Sequence, residues 1–312
     1  MPLPHLNWND VPPTDCHNGA VTVGNFDGVH LGHVSLIEAL RVAAQSATCP
    51  AFVVTFDPHP LLLLAPERFQ PPLNTPDDRA AYLMEAGADN VVMLRTTPEL
   101  LRLTPDAFFE RILRDGFKAK AIVEGFNFRF GQDRAGDNQT LARLCREAGM
   151  AFVQVPPLQL DGAPVSSSRI RNALTEGDVT GAARLMGRAY RLWGDVGVGK
   201  RRGRTLGFPT ANLERIQTLV PGDGVYAVAV ELEGRSWSGA ANVGPNPTFG
   251  EQERKLEVHL LDFDGDLYGR KLGVTFVKRL RGTRSFADPD GLIRQLQIDI
   301  TQVRTIVAEE HK

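Results

Sequence analysis

The segment Gly24-Asn25-Phe26-Asp27-Gly28-Val29-His30-Leu31-Gly32-His33 places two imidazoles and three glycines between an apolar run, residues 20–23, and a helical pattern beginning at Val34. Gly24 and Gly28 let the main chain turn close to a ligand, and the first-turn N–H groups of a helix lack internal acceptors and attract anions. His30 and His33 then stand beside a phosphate chain and donate hydrogen bonds to charge growing on its oxygens. A preorganised donor of this kind is worth roughly 100- to 1000-fold in rate. The expected chemistry is nucleotidyl transfer, with Gly24, Phe26, Asp27, Gly28 and Gly32 forming the phosphate site. The spacing is not G-x-G-x-x-G, and a histidine pair at a strand-helix junction can also simply cap the helix.

Three further segments of the first half carry polar chemistry. Glu124-Gly125-Phe126-Asn127-Phe128-Arg129-Phe130-Gly131 combines a loop glycine, an amide and aromatic faces, so it either holds a planar ring through Asn127 and Phe128 or is a packed aromatic loop. Ser166-Ser167-Ser168-Arg169-Ile170-Arg171 sets three hydroxyls before two guanidinium groups, which suits bidentate binding of phosphate oxygens and equally suits an ordinary serine-capped helix. Thr55-Phe56-Asp57-Pro58-His59-Pro60 places Asp57 and His59 just after another apolar run.

In the second half, Gly197-Val198-Gly199-Lys200-Arg201-Arg202-Gly203-Arg204-Thr205-Leu206-Gly207 is glycine-rich and basic. It suggests a second phosphate site at Gly199, Lys200, Arg204 and Gly207, although it lacks the G-x-x-x-x-G-K-[ST] pattern and could be a solvated turn. Thr210 and Asn212 follow on an extended segment, where side chains two apart point the same way. Their oxygens could ligate Mg2+, an ion that takes few protein ligands.

Periodicity predicts the elements that position these groups. Residues 20–23, 51–56, 90–94, 121–123 and 152–155 read as buried strands, alternating with helical patterns at 34–47, 77–86, 105–115 and 138–148. That alternation predicts an N-terminal α/β domain, a doubly wound parallel sheet of Rossmann-like type, with ligands at the carboxyl ends of its strands. Residues 178–190 read as a connecting helix. After Gly187 come β-type runs at 224–232, 236–243, 256–261 and 271–280, then a helix opened by Asp288-Pro289 with Leu292, Leu296, Ile300 and Val303 at helical spacing. This half is expected to be all-β, a small barrel with a C-terminal helix. The expected domains are 1–186 and 187–312.

A length of 312 residues suits two domains, and 35 Lys and Arg against 37 Asp and Glu leave no field of one sign for nucleic acid or membrane. The expected partners are small molecules, with room for a homo-oligomer. Cys16, Cys49 and Cys145 are scattered and odd in number, which argues against a disulfide framework or a structural zinc site. The start of the chain lacks the basic and apolar regions of a leader, and Leu61-Leu62-Leu63-Leu64 is too short to cross a bilayer. A cytoplasmic location is expected.

The pattern Gly24-x-Phe26-Asp27-Gly28-x-His30-x-Gly32-His33 resembles the signature of the HxGH nucleotidylyltransferases, in the form of their flavin adenylyltransferase branch. The 124–131 segment is similar to that branch's V-G-x-[DN]-F-x-F-G, with Glu124 in the place of its Val, and the resemblance implies that Asn127 lies in the nucleotide and flavin cleft. Ser166-Ser167-Ser168-Arg169-Ile170-Arg171 is similar to the family's I-S-S-T-x-I-R loop, implied to clamp ATP phosphates, and the T-F-D-P-H-P string also recurs there.

Pro209-Thr210-Ala211-Asn212 resembles the metal-binding signature of riboflavin kinases. Gly224-Val225-Tyr226-Ala227, Asn242-Val243-Gly244 and Leu256-Glu257-Val258-His259 match further pieces in order. The resemblance implies that Glu257 takes the proton from the ribityl hydroxyl, and that Tyr226, Asn242 and Arg284 lie on the flavin side. The loop Arg281-Gly282-Thr283-Arg284-Ser285-Phe286 matches only partly, because an acidic residue is usual at Thr283. Together the motifs resemble the bifunctional riboflavin kinase and FAD synthetase family of prokaryotic type. The implied function is phosphorylation of riboflavin to FMN by the C-terminal domain and adenylylation of FMN to FAD by the N-terminal domain, with ATP and Mg2+. Two rival readings are a nucleotidylyltransferase for another phosphate acceptor, whose second half only binds, and a flavin-binding protein that has lost catalysis. Intact His30, His33 and Glu257 speak against the latter.

Overall fold

The computed structural model describes residues 5–197, 208–245, 253–286 and 288–310. The chain forms two compact units, Met1–Gln70 with Thr75–Ser166, and Pro71–Asn74 with Ser167–Lys312.

The first unit is built on a parallel sheet of β1 (His5–Leu6), β2 (Ala20–Val23), β3 (Ala51–Asp57), β4 (Asn90–Arg95), β5 (Ala121–Gly125) and β6 (Ala151–Val155), in the order β1-β4-β3-β2-β5-β6. The apolar runs of β2 to β5 fit a sheet whose two faces are both covered. Val21, Val23, Phe52, Val54 and Ile122 fill one core, while Ala20, Val53, Val91 and Val123 alternate into the other. Sequential strands run one way from β2 and the other way through β5, so the β2/β5 border is the switch point at which such sheets bind ligands. The two strands separate there. Their pairing holds only Ala20 to Ala121 and Val21 to Ile122, whereas β2 stays paired with β3 as far as Val23.

The helices of this unit are α1 (Leu31–Ser46), α2 (Pro60–Leu64), α3 (Pro76–Glu85), α4 (Pro98–Leu101), α5 (Pro105–Phe108) and α6 (Asn138–Glu147). Thr75, Thr97, Thr104 and Asp137 cap four of them through side-chain oxygens. α1 begins three residues before the periodic pattern does, because the cap is His30 and the first turn, Leu31 to His33, adds nothing to the apolar stripe. The pattern read as one helix over 105–115 is α-helical only in α5 and continues as a π-helical turn, Phe109–Arg114.

The second unit holds α7 (Ser167–Thr175) and α8 (Val179–Met186), which follow the short hairpin of β7 (Gln159–Leu160) and β8 (Ala163–Pro164) of the first unit. α8 stops at Gly187, whose φ of 75° is the left-handed cap that glycine adopts at low cost. The connecting helix is therefore shorter than the sequence suggests, and Tyr190 belongs to a strand. The barrel comprises β9 (Tyr190–Gly197), β10 (Ala211–Glu214), β11 (Gly224–Leu232), β12 (Arg235–Gly244), β13 (Lys255–Leu260) and β14 (Lys271–Arg281), closed in the order β10-β13-β12-β11-β14-β9. β9 alternates buried Tyr190, Leu192 and Val196 with outward Arg191 and Trp193, a period-two pattern hidden in sequence by the polarity of its outer face. The C-terminal helix α9 (Pro289–Glu310) buries Val303 and Val307 against Ala227 and Leu261 on the barrel's outer side.

Candidate active sites

In the first unit the chain leaves β2 and turns through Gly24 to Val29 before α1. Phe26 and Val29 hold φ of 47° and 36°, conformations that non-glycine residues keep only where the surroundings impose them. Both are fully buried here. A Cβ on Gly24 would come within 3.1 Å of the Phe26 ring, and one on Gly32 within 3.1 Å of the His30 ring, so each glycine makes room for a neighbouring aromatic group.

The rings of His30 and His33 stack with centroids 3.6 Å apart and planes 14° from parallel, and the edge of Phe26 meets His33 at 5.2 Å. His30 Nδ1 accepts the main-chain N–H of His33 at 3.3 Å. In the neutral ring the proton must then sit on Nε2, which leaves that nitrogen as the donor. Helix cap and hydrogen-bond donor, two separate readings of the sequence, are compatible functions of one imidazole.

Two buried ionisable side chains support this loop. Glu124 is 1 % exposed, and its Oε1 accepts the Val23 N–H at 2.7 Å. It thus supplies, where β2 and β5 part, the acceptor that the neighbouring strand no longer provides. Burial pushes its carboxyl well above the usual range, and the Val23 N–H offsets this only in part. Arg79 on α3 donates from Nη1 to the Asn25 carbonyl at 2.9 Å, and Thr55 Oγ1 donates to the same oxygen at 3.2 Å. The sequence reading assigned no role to Arg79. A signal was present, since Arg79 lies four residues before Leu83 and so shares the helix face that turns inward.

In the loop after β5, Asn138 Nδ2 holds the Gly125 and Phe126 carbonyls, both at 3.0 Å. Phe128 stacks on Phe130 at 5.5 Å and is half-buried against the core, while Phe126 is exposed. Asn127 is exposed. Asp57 ends β3 with its carboxylate 4.0 Å from His5, and His59 caps α2 by accepting the Leu61 N–H at 3.1 Å. Ser166 closes this unit, while Ser167, Ser168, Arg169 and Arg171 belong to the second. Arg169 and Arg171 stand two residues apart in α7, about 200° around its axis.

In the barrel, Asn212 of β10 is the direct cross-strand partner of Glu257 of β13, and Glu257 is also the partner of Asn242 of β12. Ala211, Leu213, Leu256, Val258, Ala241 and Val243 are buried, so the three polar residues form one row on the outer face. Thr210 precedes β10 on that side by alternation. His259 Nδ1 lies 2.7 Å from the Pro209 carbonyl and ties β13 to the residue before Thr210. His259 also went unassigned, although it alternates with Glu257 along the same strand.

Among the described residues no group of three or more His, Cys, Asp or Glu could hold a metal. The Thr210 and Asn212 oxygens are hard and neutral, a donor set that suits Mg2+ when substrate phosphates supply the remaining ligands.

The Tyr226 side chain is fully buried, its ring meets Phe276 edge-on at 5.3 Å and its hydroxyl donates to the Gly222 carbonyl. Arg284 is exposed, donates to Gln295 and lies 4.8 Å over the Phe286 ring. The adjoining Arg281 is paired with the buried Asp299 of α9 at 2.8 Å. Gly199, Lys200, Arg204 and Gly207 lie outside the described residues.

Comparison with known proteins extends these observations. The FAD synthetase family profile matches residues 13–169 and the riboflavin kinase profile residues 186–307. A bifunctional riboflavin kinase/FMN adenylyltransferase of Pseudomonas fluorescens is 40 % identical over 294 residues, 94 % of each chain. The protein of the same description from Escherichia coli K12 is 35 % identical over 94 % of this chain and 93 % of its own. A solved structure described as a macrolide-efflux protein from Streptococcus pneumoniae superposes with a TM-score of 0.85 at 32 % identity, covering 96 % of this chain and 98 % of that one. In the present chain no helix among the described residues is long and apolar enough to cross a membrane.

Proposed function

The chain belongs to the family of bifunctional riboflavin kinases and FMN adenylyltransferases and makes FMN and then FAD, and we propose that two separate sets of its residues carry the two steps. The functional border is placed at 186/187, where Gly187 ends α8, giving an adenylyltransferase domain 1–186, which takes in α7 and α8 of the second compact unit, and a kinase domain 187–312.

In the first step Glu257 accepts the proton of the ribityl hydroxyl as its oxygen attacks the γ-phosphorus of ATP, and ADP leaves. General-base help of this kind contributes roughly 100- to 10,000-fold. Thr210 and Asn212 hold Mg2+, which when bound neutralises charge on the phosphate oxygens. The adjacency of Asn212, Glu257 and Asn242 on three neighbouring strands is the observation that supports this assignment. Asn242 and Arg284 serve the flavin side.

In the second step an FMN phosphate oxygen attacks the α-phosphorus of ATP and pyrophosphate leaves. His30, through Nε2–H, and His33 stabilise the charge on the reacting phosphate, assisted by Arg169 and Arg171 and by the hydroxyls of Ser166, Ser167 and Ser168. Asp57, Asn127 and Phe128 face the flavin. The protein acts on small molecules in the cytoplasm, without nucleic-acid or membrane partners.

The test is separation of the flavins formed from riboflavin, ATP and Mg2+. H33A should accumulate FMN without FAD. E257A should leave riboflavin unphosphorylated while still adenylylating supplied FMN. Equal loss of both activities in either variant would refute this division of labour.

A further inference from the structure

We infer that Arg79 is a positioning residue for adenylyl transfer: by holding the Asn25 carbonyl from beneath, it aims the Phe26 N–H at a substrate phosphate. The inference rests on the phosphate site proposed at residues 24–33.

Arg79 is 6 % exposed, yet it makes no ion pair among the described residues. Its side-chain hydrogen bond goes to a main-chain carbonyl, and its Nε is buried without an acceptor. A buried cation satisfied this poorly is a weak device for stability, which points to another reason for its place. Asp27 and Asp57 favour its charged form and burial opposes it.

The Asn25 oxygen receives two donors, Arg79 Nη1 from α3 and Thr55 Oγ1 from β3. In a planar trans peptide the N–H points opposite to the C=O. Drawing the Asn25 oxygen toward α3 and β3 therefore turns the Phe26 N–H the other way. No acceptor within the protein takes that N–H among the described residues. It belongs to a loop whose positive φ at Phe26, Gly28 and Val29 has to be imposed from outside the loop. The ligand chemistry that suits a preorganised N–H beside two imidazoles is a polyphosphate anion.

The experiment uses the full chain with R79M and R79K. FAD formation from supplied FMN and ATP is measured beside FMN formation from riboflavin, which controls for the second unit, while an unchanged FMN KM and circular dichroism control for the folding of the first. R79M should lower kcat of adenylylation tenfold or more, with the FMN KM and the kinase rate unchanged, and R79K should recover part of the loss. Full-rate adenylylation by R79M overturns the inference. If R79M does not fold, R79K decides: reduced adenylylation with an intact kinase supports it, and wild-type adenylylation overturns it. H33A run alongside separates the two levels, because retention of FAD synthesis in H33A refutes the parent site, whereas a dead H33A beside a fully active R79M refutes only the role of Arg79.

Discussion

Asn212 and Glu257 face each other directly across the antiparallel pair of β10 and β13. Directly opposed residues on one face have Cβ atoms about 4.5–5.5 Å apart, so an amide oxygen and a carboxylate can address the same phosphate and hydroxyl. N212A should raise the Mg2+ concentration needed for half-maximal FMN formation about ten- to a hundredfold, with FAD formation from supplied FMN untouched. N212D, which keeps an oxygen, should do so less. An unchanged Mg2+ titration in N212A would remove Asn212 from the metal site.

Gly32 lies in the first turn of α1, where alanine is the better helix former by roughly 1 kcal/mol, yet its Cβ would sit 3.1 Å from the His30 ring. G32A should therefore melt no lower than wild type while FAD synthesis drops about tenfold, since small displacements of catalytic groups are costly. A variant with full FAD synthesis would show that the placement of the His30 ring does not limit the reaction.

Tyr226 is a core residue of the barrel, and Y226F removes only its bond to the Gly222 carbonyl. The expected cost is about 1 kcal/mol in unfolding of the kinase unit, with the riboflavin KM unchanged. A raised KM without loss of stability would place Tyr226 at the flavin site.

Glu124 gives the stability a pH dependence of defined sign. Its carboxyl ionises near 4.5 in the unfolded chain and well above that when folded, because burial disfavours the charge. The folded state thus binds the extra proton, and its stability is fully present below pH 4.5 and declines as pH rises toward the folded value. E124Q keeps an acceptor for the Val23 N–H and cannot ionise. Urea unfolding followed from about pH 5 to about pH 8 should show wild type losing stability relative to E124Q as pH rises. Parallel curves would mean that Glu124 is not held as the acid.

Much of this protein is legible in its residues. The loop glycines, the two histidines and the P-T-A-N string carry local geometry, because turning close to a ligand and offering a neutral oxygen are properties of residue type and spacing. The alternation of 20–23, 51–56, 90–94 and 121–123 with helical patterns likewise specifies a parallel sheet, since one-sided and two-sided burial have different periods. β9 escaped because its outer residues are polar and aromatic, and α1 started early because its cap is a histidine.

By itself, then, the sequence determined the two-part architecture and the family, both properties written in short stretches of chain. Only the tertiary structure decided which distant residues meet. It set Asn212, Glu257 and Asn242 in one row, turned Tyr226 inward, and brought Arg79 and Glu124 beneath the 24–33 loop from elements 54 and 101 residues from their acceptor and donor. Such meetings depend on sheet register and on which helix face is buried, and those follow from packing the whole chain against itself rather than from any single segment.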